Sequence, residues 1–240
     1  MTYANSSLAS FERKVLWGAI LSVFMAFPAS TSAARPDLPP GKASPTPTYD
    51  YRDYTAPTVL QRVYEATPLG GPSYAVTESV THMPELGELL IEQKRSAEGV
   101  TMSHYVYHYH LTDTDYLWDW QERRDPESGA LIFADSYDPP LSIRQSVMPE
   151  GVNRGGAAVV SRSPDNLKFG ITRVNSALGL DEVEVPYGVF SDCLRMFEES
   201  NGIHRVSWYC PEVGLTKRIF GDPANQEVWE LTGCDGCPAQ

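Results

Sequence analysis

The sequence predicts a mainly β domain, built from one antiparallel sheet over residues 58–240. Short runs of alternating apolar and polar residues recur along this region, turn-forming residues separate them, and no long amphipathic helix lies between them. Strands joined by short turns favour hairpins, whereas parallel strands need longer connections that are usually helical.

Twelve segments have the alternation and composition of strands, and clusters of Gly, Pro, Asn and Asp such as Pro139-Pro140 separate them. The predicted strands are 74–82, 86–94, 100–111, 115–123, 130–135, 156–162, 168–174, 180–185, 189–199, 204–210, 214–220 and 226–232. Ahead of them, residues 59–66 have apolar side chains at helical spacing, which predicts one short helix leading into the sheet.

Residues 1–34 have the features of a cleavable secretory signal. Arg13 and Lys14 precede an apolar run over 15–27, and small residues follow up to Ala34. The run is shorter than the roughly 20 apolar residues that span a bilayer, so we expect a chain that does not span the membrane after cleavage. The alternative is an uncleaved N-terminal anchor. The expected location is periplasmic or secreted.

Residues 35–57 contain six prolines among small and polar residues, which predicts an extended, solvated linker. The whole chain carries a formal net charge of −12. An acidic surface repels phosphate backbones, so nucleic-acid binding and a basic membrane-docking face are disfavoured.

The Asn201-Gly202 dipeptide predicts a two-residue hairpin, because a type I′ turn requires two residues with positive φ. Counting outward from Ser200 opposite Ile203 places Cys193 opposite Cys210, in a pair whose side chains approach closely. We therefore predict a disulfide between these two, with Cys234 and Cys237 left to pair locally. A longer link from Cys193 or Cys210 to Cys234 is the alternative.

Three segments resemble a pattern of bacterial exported proteins, in which an "aGtF-dCl" strand is followed by "WYApGVGlVk" and a closing "yeLv" strand. The segments are 185–194 (VPYGVFSDCL), 208–217 (WYCPEVGLTK) and 230–232 (ELT), with 139–141 (PPL) as an upstream element. The resemblance implies a curved antiparallel sheet similar to the half-barrel of the periplasmic lipoprotein carriers LolA and LolB, often with a helix in its concave side. The predicted fold is therefore a single curved antiparallel sheet or half-barrel with one or two short helices. Tyr187 and Glu212 depart from the pattern, where it has a small residue and a glycine.

Residues 102–110 (MSHYVYHYH) place His104, His108 and His110 on one face of a strand and tyrosines on the other. Imidazoles two positions apart can share zinc or copper, and a Met/His face suits copper. The alternative is a solvent-facing polar side opposite a tyrosine-lined core. In the next predicted strand, Tyr116, Trp118 and Trp120 alternate on one face and are candidates for a ligand groove or for core.

The CxxC at residues 234–237 is interpreted as a structural disulfide, since neither a second CxxC nor a following His accompanies it. No GxSxG, HExxH, Walker A or GxGxxG pattern indicates a catalytic or nucleotide-binding site.

The leading hypothesis is an exported protein that binds rather than catalyses, holding a lipid or another apolar or amphiphilic ligand in a concave sheet. One alternative is an interaction subunit of an extracytoplasmic complex, joined to a protein partner through the Pro-rich arm and free sheet edges. A second is a copper- or zinc-binding protein. An outer-membrane barrel is disfavoured, because the predicted strands are irregular in length.

Overall fold

The computed structural model describes residues 45–55, 58–145 and 147–238. The predicted signal and the start of the predicted linker lie outside these ranges. Two short strands, β1 Thr48–Tyr49 and β8 Met148–Pro149, form a separate two-stranded sheet. The other twelve described strands are β2 Gln61–Pro68, β3 Tyr74–Met83, β4 Glu88–Ala97, β5 Val100–Leu111, β6 Asp115–Arg124, β7 Leu131–Gln145, β9 Arg154–Ser163, β10 Leu167–Val185, β11 Gly188–Ser200, β12 Ile203–Cys210, β13 Gly214–Phe220 and β14 Glu227–Asp235. These twelve close into one antiparallel barrel, in the order β10-β11-β12-β13-β14-β2-β3-β4-β5-β6-β7-β9.

The prediction of a mainly β, antiparallel fold is confirmed, but the open sheet or half-barrel is wrong. The predicted helix at 59–66 is instead largely β2, which pairs with β14 on one side and β3 on the other and so joins the two halves of the sheet. Its buried face carries Arg62, Tyr64 and Ala66. Arg62 occupies a buried position of this strand but is not apolar, so the alternation of period two is not visible in the sequence. The apolar residues that remain have a helical spacing.

Closure also bears on the interaction-subunit hypothesis. Within the described ranges every barrel strand has a neighbour on each side, but β9 pairs with β7 only over 134–138 and with β10 only over 167–175, so free edge remains along the rest of β7 and β10. The described residues contain a single helix, the 3-10 turn Tyr51–Tyr54, and no helix that is long and apolar enough to cross a membrane.

Two strands run longer than predicted. β10 joins the predicted strands 168–174 and 180–185, because the segment between them, which includes Asn175, Ser176 and Ala177, is buried and paired with β11. β7 continues through Pro139-Pro140, where its pairing with β6 skips from Ser136 to Leu141. A proline has no N–H to donate, and an interrupted stretch of pairing accommodates it.

The hairpin turns alternate between the two ends of the barrel. One end, which we term the mouth end, carries the turns at 69–73, 98–99, 125–130, 164–166, 201–202 and 221–226. The other, the base end, carries those at 84–87, 112–114, 186–187 and 211–213.

The Asn201-Gly202 turn has the expected positive φ values of 48° and 78°, with Ser200 opposite Ile203. Cys193 and Cys210 form a disulfide with a Cα–Cα distance of 4.0 Å, and both are buried. Cys234 and Cys237 form the second disulfide.

The described end of the predicted linker packs against the base end. Asp50 accepts a hydrogen bond from the Arg52 amide at 3.0 Å and so caps the 3-10 turn. The side chains of Tyr51 and Tyr54 are buried in the main hydrophobic core. The Tyr51 ring centroid lies 5.5 Å from those of Tyr116 and Tyr209, so this turn contributes to the barrel interior.

Candidate ligand-binding cavity

The barrel encloses a cavity of about 540 Å³. A barrel of eight strands is filled by its own side chains, and twelve strands leave more interior space. Inward-facing residues from the strands line the cavity, together with Tyr51, Tyr54 and Thr55 at the base end. Toward the mouth end the lining includes Phe169 and Ile203, which are 39% and 52% exposed, so the cavity meets solvent there.

The charge of the cavity is opposite to that of the chain. Its lining contains seven arginines but only three carboxylates, whereas the whole chain has a net charge of −12. The arginines are Arg62, Arg95, Arg144, Arg162, Arg173, Arg205 and Arg218, and the carboxylates are Glu78, Asp135 and Glu198. The positive charge is therefore concentrated inside the barrel.

Glu198 lies at the centre of the largest charged network. Its Oε1 accepts hydrogen bonds from Arg144 at 3.0 Å and Arg173 at 2.9 Å, and all three side chains are buried. Burial by itself would raise the pKa of Glu198, but Arg173 and Arg144 outweigh it and hold that pKa well below its ordinary value. Glu198 is therefore an anion that its own protein neighbours already neutralise.

The Arg144 guanidinium also joins this network to the tyrosines at the base end. It lies over the rings of Tyr51 and Tyr209, with its Cζ 4.2 Å and 4.1 Å from the centroids, and it donates to the Tyr209 hydroxyl. Arg218 donates to the same hydroxyl at 2.8 Å.

The other two carboxylates are also occupied by protein groups. Glu78 lies 3.2 Å from the Arg62 guanidinium and accepts hydrogen bonds from Tyr64 at 3.1 Å and Gln93 at 3.0 Å. Asp135 accepts two hydrogen bonds from Arg162, at 2.7 Å and 2.8 Å, and one from Gln121 at 3.0 Å. Four of the seven arginines are thus paired with carboxylates.

A row of aromatic rings forms one wall of the cavity. Tyr105, Tyr107 and Tyr109 stack in sequence along β5, with centroids 6.0 Å and 6.3 Å apart, because alternate residues of a strand share a face. Trp118 lies 6.0 Å from Tyr107 and 4.7 Å from Tyr137. Burial raises the pKa of Tyr107 to about 12, so its hydroxyl is uncharged at neutral pH.

Of the three aromatic residues proposed from sequence, Tyr116 and Trp118 line the cavity and Trp120 does not. The pairing of β5 with β6 shifts between Trp118, opposite Tyr109, and Trp120, opposite His108. This bulge reverses the alternation of β6, and Trp120 stacks on His108 away from the cavity. An extra residue in one strand is not visible in the local sequence pattern.

The three histidines proposed as metal ligands lie on the face of β5 opposite its cavity-lining tyrosines. His104 pairs with Glu92 at 2.7 Å, and His108 stacks on Trp120. Burial lowers the pKa of His108 to about 4. In the part of the chain that the structure describes, no group of three or more His, Cys, Asp and Glu side chains is arranged to hold a metal ion.

The arginine lining was missed from sequence, although a signal for it exists. Arg62 alternates with Tyr64 and Ala66, and Arg173 alternates with Asn175 and Ala177, so each shares a strand face with buried residues. Charged residues usually face solvent, so the sequence analysis did not assign these arginines to the interior face of their strands.

No protein-family model and no curated protein matches the sequence. Two solved structures are similar to the chain. One is a protein of Bacteroides fragilis assigned as exported and described as having a YmcC-like fold, with 13% identity and a TM-score of 0.47 over 73% of this chain and 94% of that one. The other is a protein of Parabacteroides distasonis assigned as a lipoprotein, with 11% identity and a TM-score of 0.48 over 76% of this chain and 98% of that one. At this level of similarity, neither structure indicates what this chain binds.

Proposed function

We propose that this chain is an exported, non-catalytic binding protein that holds an anionic amphiphile inside its barrel. The ligand class is a small molecule with a flat apolar face and at least one acidic group. The observation that carries the proposal is the cavity of about 540 Å³, in which an excess of arginine over carboxylate faces a wall of stacked aromatic rings.

The size and lining of the cavity fit small-molecule binding. Ligand sites commonly occupy about 300–1,000 Å³ and combine apolar or aromatic walls with a few convergent polar groups. The aromatic rings offer flat surfaces for stacking, and guanidinium groups recognise carboxylate, sulfate and phosphate. A purely apolar ligand fits less well, because it would leave the arginines without the anions that offset their desolvation.

Export is supported by the predicted signal and by the cysteines. All four cysteines are paired in disulfides, and disulfides persist in oxidising compartments outside the cytosol.

The two tryptophans of β6 provide a matched test. The probe is 8-anilinonaphthalene-1-sulfonate, which has flat aromatic rings and one acidic group and whose fluorescence rises when it leaves water. Trp118→Ala removes a ring that faces the cavity, and Trp120→Ala removes one from the same strand outside it. The proposal predicts roughly three- to tenfold weaker binding for Trp118→Ala, corresponding to one lost aromatic contact, and unchanged binding for Trp120→Ala.

Circular dichroism of each variant confirms that the barrel is intact during the titration. Equal binding by the wild-type protein and both variants, or no binding at all, contradicts the proposal.

A further inference from the structure

Three cavity arginines have no carboxylate partner. Within the described ranges, no Asp or Glu oxygen lies within 4.0 Å of the guanidinium nitrogens of Arg95, Arg205 or Arg218. Arg218 donates to Ser207 at 2.9 Å and to Tyr209, and Arg95 donates to Tyr74 at 3.3 Å. These neutral oxygens satisfy individual N–H groups but supply no negative charge.

The three guanidinium groups cluster around two neighbouring rings. The centroids of Phe220 and Trp229 are 4.8 Å apart. The Cζ atoms of Arg205 and Arg218 each lie 5.6 Å from the Phe220 centroid, and the Cζ atoms of Arg218 and Arg95 lie 5.9 Å and 5.2 Å from that of Trp229. All five side chains line the cavity, so three positive charges share one small region of its wall.

Strand register accounts for this convergence. Arg205 is directly opposite Phe220 in the β12–β13 pair, and Arg218 is directly opposite Trp229 in the β13–β14 pair. Cross-strand partners project from the same face of a sheet, so the register places Phe220 beside Arg205 and Trp229 beside Arg218. Arg95 reaches the Trp229 ring from β4.

We infer that Arg95, Arg205 and Arg218 form a subsite for a tetrahedral oxyanion, a phosphate or sulfate group, carried by the ligand. This inference rests on the proposed function, because it names the part of the ligand that the cavity selects. The flat ring of the ligand lies against the aromatic wall, and its acidic group lies among the three guanidinium groups.

Two further observations concern the donors and the charge of this subsite. The Nε atoms of Arg95 and Arg205 are buried and have no hydrogen-bond partner among the described residues, and the same holds for Arg62, Arg144 and Arg195 outside the subsite. Burial, together with the like charges of Arg173 and Arg218, lowers the pKa of Arg205 and outweighs the opposing effect of Glu198, its cross-strand neighbour. An oxyanion with several acceptor oxygens would satisfy planar guanidinium donors from more than one side.

The subsite is accessible from the mouth end. Arg205 is two residues from Ile203, which is 52% exposed beside the Asn201-Gly202 turn. Arg205 lies at the same level as Glu198, which is directly opposite it in the β11–β12 pair, so a ligand entering there reaches both the subsite and the charged network around Glu198.

The test uses a matched pair of ligands, 1-naphthyl phosphate and 1-naphthol, which share a ring system and differ in the phosphate. Binding of each to the full chain is measured by isothermal titration calorimetry at low and high salt. The phosphate ester is expected to bind at least tenfold more tightly than the alcohol, with an advantage that shrinks as salt rises. Inorganic phosphate alone serves as a competitor, because it distinguishes a site for the free anion from one that needs the attached ring.

Arg205→Gln is the diagnostic variant, and Arg195→Gln is its control. Arg195 lies on β11, pairs with Asp181 at 3.1 Å and does not line the cavity. Arg205→Gln is expected to weaken binding of 1-naphthyl phosphate on the order of tenfold and leave 1-naphthol binding unchanged, while Arg195→Gln alters neither. Because burial and the like charges of Arg173 and Arg218 disfavour the charged form of Arg205 more than Glu198 favours it, Arg205→Gln should also raise the melting temperature, whereas loss of a structural arginine would lower it.

The outcomes separate the inference from the proposed function. If both ligands bind equally and Arg205→Gln has no effect, the oxyanion subsite is refuted while binding in the cavity stands. If neither ligand binds, both are refuted. A lower melting temperature for Arg205→Gln together with unchanged affinity assigns Arg205 a structural role and also overturns the inference.

Discussion

Glu198 and Arg144 are 54 positions apart in sequence, and their side chains meet inside the barrel at 3.0 Å. Arg173 donates to the same carboxylate oxygen at 2.9 Å. This shared anion links β7, β10 and β11 across the interior. It is the carboxylate partner of Arg144 and Arg173, as Glu78 and Asp135 are for Arg62 and Arg162.

Replacing Glu198 should therefore destabilise the barrel strongly. Glu198→Gln removes the negative charge and leaves two buried guanidinium groups uncompensated, which is expected to lower the free energy of unfolding by about 3 kcal/mol. Urea denaturation measures the loss. The control is Glu199→Gln, because Glu199 is the next residue in the strand and its side chain is 42% exposed beside His204. Equal stabilities for the two variants would contradict this account.

His108 should produce a pH dependence of stability. Burial lowers its pKa from 6.5 to about 4 in the folded chain, with Arg124 acting in the same direction and Glu122 opposing. Between these values the unfolded chain binds a proton that the folded chain does not, so stability should fall as the pH is lowered through this window. His108→Gln should reduce the decline in the denaturation midpoint between pH 7 and pH 4.

The exposed His204 is the comparison for this prediction, since its side chain is 53% exposed. His204→Gln should retain the wild-type decline. An unaltered decline in His108→Gln would show that His108 is protonated equally in the folded and unfolded chains.

The two disulfides should differ in their contribution to stability. Cys193–Cys210 spans 17 positions and is buried, whereas Cys234–Cys237 spans three. Loop-closure entropy predicts losses of about 3 kcal/mol and about 2 kcal/mol when each pair is replaced by alanine, and the buried sulfurs add to the first. Denaturant unfolding of the two double variants gives both values. A larger loss for the Cys234/Cys237 variant would contradict the prediction.

Tyr51 should contribute to the barrel although it precedes the first barrel strand. Tyr51→Ala removes a buried ring that packs against Tyr116, Tyr209 and Arg144, and is expected to cost about 3 kcal/mol. Asp53→Ala changes an exposed residue of the same 3-10 turn and should have little effect. Thermal denaturation gives the melting temperatures of Tyr51→Ala and Asp53→Ala. Similar melting temperatures for the two variants would mean that Tyr51 does not stabilise the barrel.

The strands and the hairpin at Asn201-Gly202 could be predicted because their determinants are local. Alternation defines each strand, and the positive φ of the turn residues sets the register that brings Cys193 to Cys210. Closure could not be predicted in the same way. It depends on β2, whose alternation is hidden by the buried Arg62, and on the long-range pairing of β2 with β14.

The cavity was only partly predictable for a related reason. The tyrosines of β5 and Trp118 follow simple alternation, whereas Trp120 is displaced by a bulge that leaves no local signal. The arginine lining depends on which face of each strand becomes the interior once the barrel closes. A charged residue at an alternating position is compatible with either face until that is known.

Native mass spectrometry of the mature protein, purified from its own cells, tests the central claim most directly. The account predicts a stoichiometric small molecule that ionises as an anion after release and is depleted from the Arg205→Gln variant. A bare chain, or a neutral or cationic ligand retained equally by wild type and variant, would contradict it.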